Sequence, residues 1–322
     1  MQRLAAIGEC MVELTHRDAG VMELGFAGDS FNTALYLARC TPPTHLAIDY
    51  VTALGTDPYS EAMREFWHSE GIGGEATIRL PNRLPGLYLI RTDGDGERQF
   101  FYYRSAAAAR ELFRDDAGDR LLAALPSYDV LYFTAITLSI LASDARERFR
   151  AALGVARAAG RLVIFDTNYR PAGWVSPEAA RAAILPFLDH VSMALPTFED
   201  EGALWGDAAP AETVARYRDR GIEVVVKCGS GACLLGDGNA VPVPIRLAPV
   251  DTTAAGDAFN AGYIAARLDG RSPAEAAQSG HILAGAVIGH RGAIMPRDIA
   301  IPGFPAYRPR QGSSGRDVPP AP

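Results

Sequence analysis

Short apolar runs alternate with segments of helical periodicity along most of this chain. The runs lie at residues 4–7, 50–54, 130–133, 162–165, 193–195 and 224–226. In the second half of the chain, helical patterns rich in Ala and Arg separate most of them. Strands that are apolar throughout and alternate with helices are typical of a parallel sheet with helices on both faces. The pattern therefore predicts an α/β fold, a three-layer α/β/α sandwich around a mostly parallel central sheet.

Two segments near the start depart from this alternation. Residues 11–27 lose the helical period and contain turn residues. Residues 76–91 and 99–104 alternate between apolar and polar side chains, which is the two-residue period of exposed strands. The Asp-Gly repeat at 93–96 between them is a hairpin signal. We expect a small separate antiparallel sheet, inserted in the α/β core, from about residues 11–27 and 76–104.

The helical patterns and a change of composition near the end of the chain indicate the extent of the domain. Gly28 opens a helix, residues 59–70 form an amphipathic helix, and residues 274–289 form a long helix rich in Ala and Gly. The small residues of this last helix suit close approach by an adenine ring or by another helix. After residue 302 the composition changes to Pro, Gly, Ser and Arg. We expect one domain over residues 1–302 and a disordered tail over 303–322.

Composition and charge exclude several classes of function. The chain has 322 residues, of which 48% are hydrophobic, and a net charge of −7, so neither nucleic acid nor an anionic membrane is an expected partner. The four cysteines form no CxxC pair or metal-site spacing, and free thiols are expected. The start lacks the apolar region of a signal peptide, and no stretch is long enough to span a bilayer. These features predict a cytoplasmic protein.

A turn and helix at residues 250–268 carry the clearest chemical signal. Ala254, Ala255 and Gly256 have almost no side chain, so several backbone N–H groups can converge on one anion at the start of a helix. Asp257 follows them and would repel a phosphate, which indicates that its carboxylate serves a second ligand. A phosphate site beside a carboxylate is what phosphoryl transfer to an alcohol requires. The alternative is that Asp257 only caps the helix.

The common motifs of other enzyme classes do not fit. The sequence has no G-x-x-x-x-G-K-[ST], no H-E-x-x-H and no G-x-S-x-G. Gly229 and Gly231 follow an apolar run, but no third glycine completes a dinucleotide fingerprint. This weakens an NAD-dependent reductase as an interpretation.

Residues 251–257 (DTTAAGD) resemble the second signature, D-T-x-G-A-G-D, of the ribokinase-like, or PfkB, sugar kinases. Residues 27–32 (AGDSFN) resemble the first, although Ala27 and Ala254 each replace a glycine. Residues 82–88 with 101–104, and residues 166–171, are similar to 2-keto-3-deoxygluconate kinases in particular. The similarity runs in order from about residue 4 to 300, and it implies the ribokinase-like fold, with the small sheet acting as a lid over the sugar.

The resemblance also implies a reaction and a set of site residues. It implies ATP-dependent phosphorylation of the primary hydroxyl of 2-keto-3-deoxygluconate. The ions that it implies are Mg²⁺ bound to the ATP and, as a further option, a monovalent cation such as K⁺. Asp257 is then the general base, and the backbone of Ala254, Ala255 and Gly256 holds the transferred phosphoryl group. Because the helix N-terminus favours the ionised carboxylate, an ordinary pKa is expected for Asp257. The residues expected at the sugar acid, with Arg104 and Arg170 on its carboxylate, are Gly28, Asp29, Asn32, Tyr88, Tyr102, Arg104, Ile136, Arg170 and Asp257.

The same resemblance places the nucleotide and the metal. The residues expected at the nucleotide are Asn168, Lys227, Gly229, Gly231, Gly256 and His281. The family's N-x-x-E pattern points to Glu201 as a residue that binds Mg²⁺ through water, although Phe198 stands at the Asn position. A homo-oligomer formed through the lid sheet is expected.

Two further interpretations remain open from the sequence. A related kinase acting on a neutral sugar such as fructose or ribose would not need Arg104 and Arg170 to converge on one carboxylate. A non-catalytic sugar-acid sensor could keep the fold without the reaction, but the intact Asp257 argues against it.

Overall fold

The computed structural model describes residues 1–18, 20–92, 98–244, 248–299 and 301. This part of the chain contains a ten-stranded and a four-stranded sheet. The strands are β1 (Gln2–Ile7), β2 (Met11–Asp18), β3 (Val21–Ala27), β4 (Leu46–Leu54), β5 (Ile72–Gly73), β6 (Thr77–Arg79), β7 (Leu87–Thr92), β8 (Arg98–Tyr103), β9 (Val130–Thr134), β10 (Leu162–Asp166), β11 (Met193–Ala194), β12 (Glu223–Val226), β13 (Cys233–Leu235) and β14 (Ala240–Val241). The α-helices are α1 (Asp29–Cys40), α2 (Pro58–Ser69), α3 (Asp116–Ala124), α4 (Ala135–Ile140), α5 (Ser143–Ala158), α6 (Pro177–Leu188), α7 (Phe198–Trp205), α8 (Pro210–Arg218), α9 (Ala255–Leu268) and α10 (Pro273–Ile288).

The central sheet has the order β14-β13-β12-β11-β10-β9-β1-β4-β5, with β6 also paired to β4. All pairings from β12 to β5 are parallel, and β13 and β14 add an antiparallel edge. Every apolar run predicted as a strand lies in this sheet. The mostly parallel sheet is therefore confirmed.

Two hydrophobic cores cover the two faces of the central sheet. Along β1, Leu4 and Ala6 point into one core, while Ala5 and Ile7 point into the other. The first core is closed by α1, α2, α9 and α10, and the second by α3 to α8. A strand buried on both faces is apolar at every position, which is why these runs show no alternation. The three-layer α/β/α arrangement is confirmed.

The second sheet, the lid sheet, has the order β3-β2-β7-β8. Its outer pairs, β2–β3 and β7–β8, are antiparallel, but β2 and β7 run parallel, with Val12 opposite Leu87. A parallel pair needs a crossover connection, here the long segment from α1 to β6. A small separate sheet is thus confirmed, although one of its three pairings is not antiparallel.

The predicted extent of the lid, residues 76–104, is wrong at its start. Thr77–Arg79 forms β6, which pairs with the end of β4 and so belongs to the central sheet. Ile78 is buried in the second core. Alternation shows that a segment is a strand but not which sheet edge it joins. The hairpin signal at 93–96 and the tail at 303–322 lie outside the described residues.

The helix predicted at residues 274–289 is α10, and its small residues meet another helix. A Cβ on Gly262 of α9 would lie 2.7 Å from the carbonyl oxygen of Ser279, and a Cβ on Gly280 would lie 2.9 Å from the ring of Phe259. The four cysteines are free thiols, as predicted. Among the described residues, no helix combines the length and the apolar character needed to cross a membrane.

Candidate active site

The candidate site lies where the central strands end and where two helices begin. Ligands of open α/β sheets bind at the carboxyl ends of the strands. Here β1, β10 and β12 end at the same edge, next to the first turns of α1 and α9. Helices α1 and α9 pack side by side, so Asn32 of the first reaches Asp257 of the second across 2.8 Å.

Asp257 is the third residue of α9, and its carboxylate does not cap that helix. It accepts a hydrogen bond from Asn32 Nδ2, whereas the N-cap residue is Ala254. Burial and the nearby carboxylate of Asp29 raise the pKa of Asp257 to about 8, against the hydrogen bond from Asn32. The expectation of an ordinary pKa is wrong, because the helix N-terminus does not offset burial among other carboxylates. The simple helix-cap interpretation of Asp257 is not supported.

The turn in front of α9 is held in a strained conformation. Ala254 has φ 61° and ψ 13°, the left-handed region that favours glycine. For alanine this costs about 1 kcal/mol or more. The turn is closed by the N–H of Ala255, which donates to the carbonyl of Thr252. The amides of Gly256 and Asp257 then stand at the positive end of the helix, and an anion can bind there.

A buried lysine adds positive charge below this turn. Lys227 Nζ donates to Asp166 Oδ2 at 3.0 Å and to Asn260 Oδ1 at 2.9 Å. The same nitrogen lies 3.6 Å from where a Cβ of Gly256 would stand. Asn260 also donates to Asp166 Oδ2 at 2.6 Å, so the lysine is fixed in place. The arrangement suits a ligand with several negative charges.

The lid sheet brings an arginine and two tyrosines over the site. The rings of Tyr88 and Tyr102 lie 5.7 Å apart between centroids, and Tyr88 donates to Glu13. Arg104, just past β8, forms an ion pair with the buried Glu9 that follows β1. Burial raises the pKa of Glu9, and Arg104 opposes that rise. Arg104 Nε is buried and has no hydrogen-bond partner among the described residues, so it remains a free donor.

Arg170 approaches the same place from the core. Its guanidinium bonds Asp200 Oδ1 at 3.0 Å, and 57% of its side chain is exposed. Burial raises the pKa of Tyr102, and both Arg104 and Arg170 oppose this rise. The structure therefore brings the two predicted arginines close enough to one tyrosine for both charges to act on it.

The start of α1 is tied to the end of β10. Asp29 Oδ2 accepts from Asn168 Nδ2 at 2.8 Å, so Asn168, predicted at the nucleotide, contacts a residue predicted at the sugar. A Cβ on Gly28 would lie 2.1 Å from the carbonyl oxygen of Glu9. That contact is enough to require glycine at this position, and access of the sugar to the Gly28 backbone stays a prediction. Ile136 lies in α4, which directly follows β9.

Comparison with known proteins agrees with this geometry. The model of the pfkB family carbohydrate kinases matches residues 1–300. The chain belongs to this family. A relative named 2-dehydro-3-deoxygluconokinase, from Escherichia coli K12, is 44% identical over 305 residues, which are 92% of this chain and 98% of the relative.

Solved structures share the fold of this pfkB kinase. The 2-dehydro-3-deoxygluconokinase of Thermotoga maritima superposes with a TM-score of 0.77 at 20% identity, covering 92% of this chain and 96% of the other. A putative ribokinase II of E. coli in complex with ATP and Mg²⁺ gives 0.78 at 20% identity, covering 91% and 94%. The ribokinase-like fold predicted from the sequence is confirmed.

The remaining residues predicted at the nucleotide of the pfkB kinase are Gly229, Gly231 and His281. Gly229 has φ 55°, where glycine is favoured, and Gly231 closes a turn on the carbonyl of Cys228. His281 is buried, with Nε2 3.1 Å from the carbonyl oxygen of Val241 and its ring against Phe259. Burial lowers the pKa of His281, so the ring is neutral at neutral pH. Contact of these residues with a nucleotide stays a prediction.

The acidic residues differ in their suitability for a metal. Glu201 is buried, and its carboxylate accepts from Thr167, Tyr217 and Arg216. Burial raises its pKa to about 7. Its neighbour Asp200 instead contacts Arg170 and lies near Asp166 and Lys227, whose charges act on its pKa.

No group of three metal-ligating side chains exists within the described part of the pfkB kinase. Mg²⁺ in kinases commonly takes only one or two carboxylates together with phosphate oxygens and water. Asp166, which bonds the lysine beside Gly256, and Asp200, whose carboxylate lies near Asp166, are carboxylates that fit that role. Glu201, whose side chain has no exposed surface, fits it less well than Asp200, whose side chain is 17% exposed.

Sequence reasoning missed four residues of the site. They are Glu9, Asp166, Asp200 and Asn260. Asn260 carried a usable signal, since it lies three residues after Asp257 and so on the same side of α9. For the other three, the sequence indicated only that they are polar residues at the end of a strand or the start of a helix.

Proposed function

We propose that this kinase transfers the γ-phosphoryl group of ATP to the primary hydroxyl of 2-keto-3-deoxygluconate, giving 2-keto-3-deoxy-6-phosphogluconate and ADP. The observation that carries the proposal is the free, buried Nε of Arg104 near Tyr102, a ring on which the charge of Arg170 also acts. Two arginines around one point suit a carboxylate, which their planar groups can bind with paired hydrogen bonds. A neutral sugar offers this Nε only uncharged hydroxyl oxygens, which bind a guanidinium more weakly than a carboxylate does. The name of the 44% identical relative supports the same substrate.

In the proposed reaction, Asp257 accepts the proton of the primary hydroxyl as its oxygen attacks the γ-phosphorus. The bond from that phosphorus to the bridging oxygen of ADP breaks. Asn32 orients the carboxylate through its 2.8 Å hydrogen bond. The amides at the start of α9 and the ammonium of Lys227 stabilise the charge on the transferred group.

Asp166 and Asp200 are the residues we propose to hold Mg²⁺, directly or through water. When bound, the ion neutralises charge on the ATP phosphates. A requirement for K⁺ stays a prediction of the family resemblance, and turnover compared in K⁺ and tetramethylammonium buffers tests it. The cytoplasmic location likewise stays a prediction.

Replacement of Arg170 tests the carboxylate assignment. Removing a charged partner of a carboxylate costs about 2–5 kcal/mol when the pair is desolvated. Because Arg170 is half-exposed, we expect the binding free energy lost in Arg170→Ala to lie near the lower limit of this range. KM for the sugar acid should then rise roughly 30-fold. KM for ATP stays nearly constant. A coupled assay of ADP release measures both constants.

Arg114→Ala is the matched control, since this exposed arginine forms an ion pair with Glu111, three residues before it. We expect it to leave both constants unchanged. The same assay with fructose, ribose and gluconate tests the alternatives. Phosphorylation of neutral sugars as efficiently as the acid would contradict the carboxylate assignment, and absence of ATP consumption with every sugar would favour a sensor.

We also propose that two copies associate through the outer face of the lid sheet. Leu24, Phe101 and Tyr103 on this sheet are 46%, 46% and 65% exposed. Exposed apolar side chains gathered on one sheet are typical of an interface. The lid sheet would then be supported by its counterpart in the second copy.

A further inference from the structure

Arg98, the first residue of β8, connects the lid sheet to the loop before α9. Its NH1 lies 2.7 Å from Asp251 Oδ2 and 2.8 Å from Thr253 Oγ1. The contact is largely shielded from water, since the side chains of Arg98 and Asp251 are 20% and 3% exposed. This contact crosses from one sheet to the segment that forms the anion turn.

Asp251 is firmly held on the core side of this contact. Its Oδ1 accepts from the N–H of Thr253 at 3.0 Å and its Oδ2 from the N–H of Gly292 at 2.5 Å. Its own N–H donates to the carbonyl of Ile288 at the end of α10. The position of Arg98 is therefore transmitted to Thr253, which directly precedes the strained Ala254.

The same strand carries the sugar-binding residues at its other end. Residues 98, 100 and 102 alternate onto one face of β8, and the rings of Phe100 and Tyr102 stack at 6.4 Å on that face. Arg104 follows immediately after the strand and pairs with Glu9. One short strand thus touches the proposed sugar site at its end and the anion turn at its start.

We propose that Arg98 is a positioning residue that couples binding of the sugar acid to binding of ATP. The inference rests on the proposed function. A sugar acid held by Tyr102 and Arg104 fixes β8, which sets Arg98 against Asp251 and Thr253. The turn is then held in the form whose amides bind phosphate, so each substrate strengthens the binding of the other. Coupling of this kind is reciprocal and typically changes affinity about 5–150-fold.

Calorimetry on the full chain tests the coupling. The dissociation constant of a non-hydrolysable ATP analogue with Mg²⁺ is measured with and without saturating 2-keto-3-deoxygluconate, and the reverse titration is measured as well. We expect the unmodified protein to bind the analogue at least about fivefold more tightly with the sugar acid present. In Arg98→Gln each ligand alone still binds, but this enhancement disappears. Arg98→Lys restores part of it, since lysine keeps the charge and one donor.

Arg17→Gln is the matched control. Arg17 also lies in the lid sheet, but its ion-pair partner is Glu23 in the same sheet. We expect the control to keep the full enhancement, and melting temperatures verify that the variants fold. Full enhancement in Arg98→Gln, or none in the unmodified protein that binds both ligands, would overturn the coupling alone. Failure of the unmodified protein to bind the sugar acid would overturn the proposed function as well.

Discussion

The Asp257 carboxyl lies in an environment that favours its neutral form, although its proposed role needs the charged one. Burial and Asp29 raise its pKa to about 8. The group must be ionised to accept a proton, so activity is lost as the pH falls through that value. We expect kcat/KM for the sugar acid to rise from pH 6 to pH 9 with an apparent pKa near 8, because this ratio reports the free enzyme. A constant kcat/KM over that range would contradict the raised pKa.

Asp257→Asn separates the chemistry from the fold. Asparagine can still accept from Asn32 but cannot take the proton, so turnover falls at least about 100-fold. The sign of the stability effect follows from the raised pKa, since the folded state binds the proton more tightly than the unfolded chain. Stability of the unmodified protein is therefore lost as the pH rises from about 4 through 8. The variant lacks this loss, so its Tm exceeds that of the unmodified protein at pH 8 and matches it near pH 4.

Single residues were predictable where their chemistry is local. Arg104, Arg170 and Tyr102 were identified from motifs, and in the structure the charges of both arginines act on the pKa of Tyr102. Glu9 and Asn260 were missed, because their roles come from partners roughly 95 positions away along the chain. The pKa of Asp257 was mispredicted for the same reason, since burial is a property of the assembled fold.

At the scale of elements, the contact between α9 and α10 depends on glycine. A Cβ on Gly262 would lie 2.7 Å from the backbone oxygen of Ser279, which cannot move without moving α10. We expect Gly262→Ala to destabilise the protein, since overpacking costs about 1–3 kcal/mol and outweighs the gain in helix propensity. Urea denaturation measures the change.

Gly285→Ala supplies the control within α10. A Cβ there meets no atom within 4 Å. The propensity gain of about 1 kcal/mol is then unopposed, so this variant is stabilised. Equal effects of the two substitutions would show that the contact between the helices does not constrain Gly262.

Elements were predicted well where burial was uniform and less well at sheet edges. Apolar runs identified the central strands, because both faces of each are covered. The segment Thr77–Arg79 was assigned to the wrong sheet, because its three residues carry no information about the neighbouring strand. The left-handed Ala254 was unpredictable from composition, since alanine normally avoids that conformation.

At the scale of the whole molecule, the exposed lid face predicts a dimer. An arginine at the centre of a buried apolar interface is unpaired and costly, so we expect Phe101→Arg to convert dimers to monomers. Leu185→Arg is the control, since Leu185 is 42% exposed on α6, away from the lid sheet. Sedimentation velocity measures the oligomeric state of both variants. An unmodified protein that is monomeric at micromolar concentration would contradict the proposed interface.

The parallel pairing of β2 with β7 has a consequence for synthesis on the ribosome. The β2–β3 hairpin emerges early, but β7 begins roughly 60 residues after β3 ends. At about 5–20 residues per second, this leaves an interval of roughly 3–12 s. During that time the β2 edge has no partner, and an unpaired edge is a template for association with other chains. The β2 edge of the nascent kinase is therefore open to such association until β7 has been made.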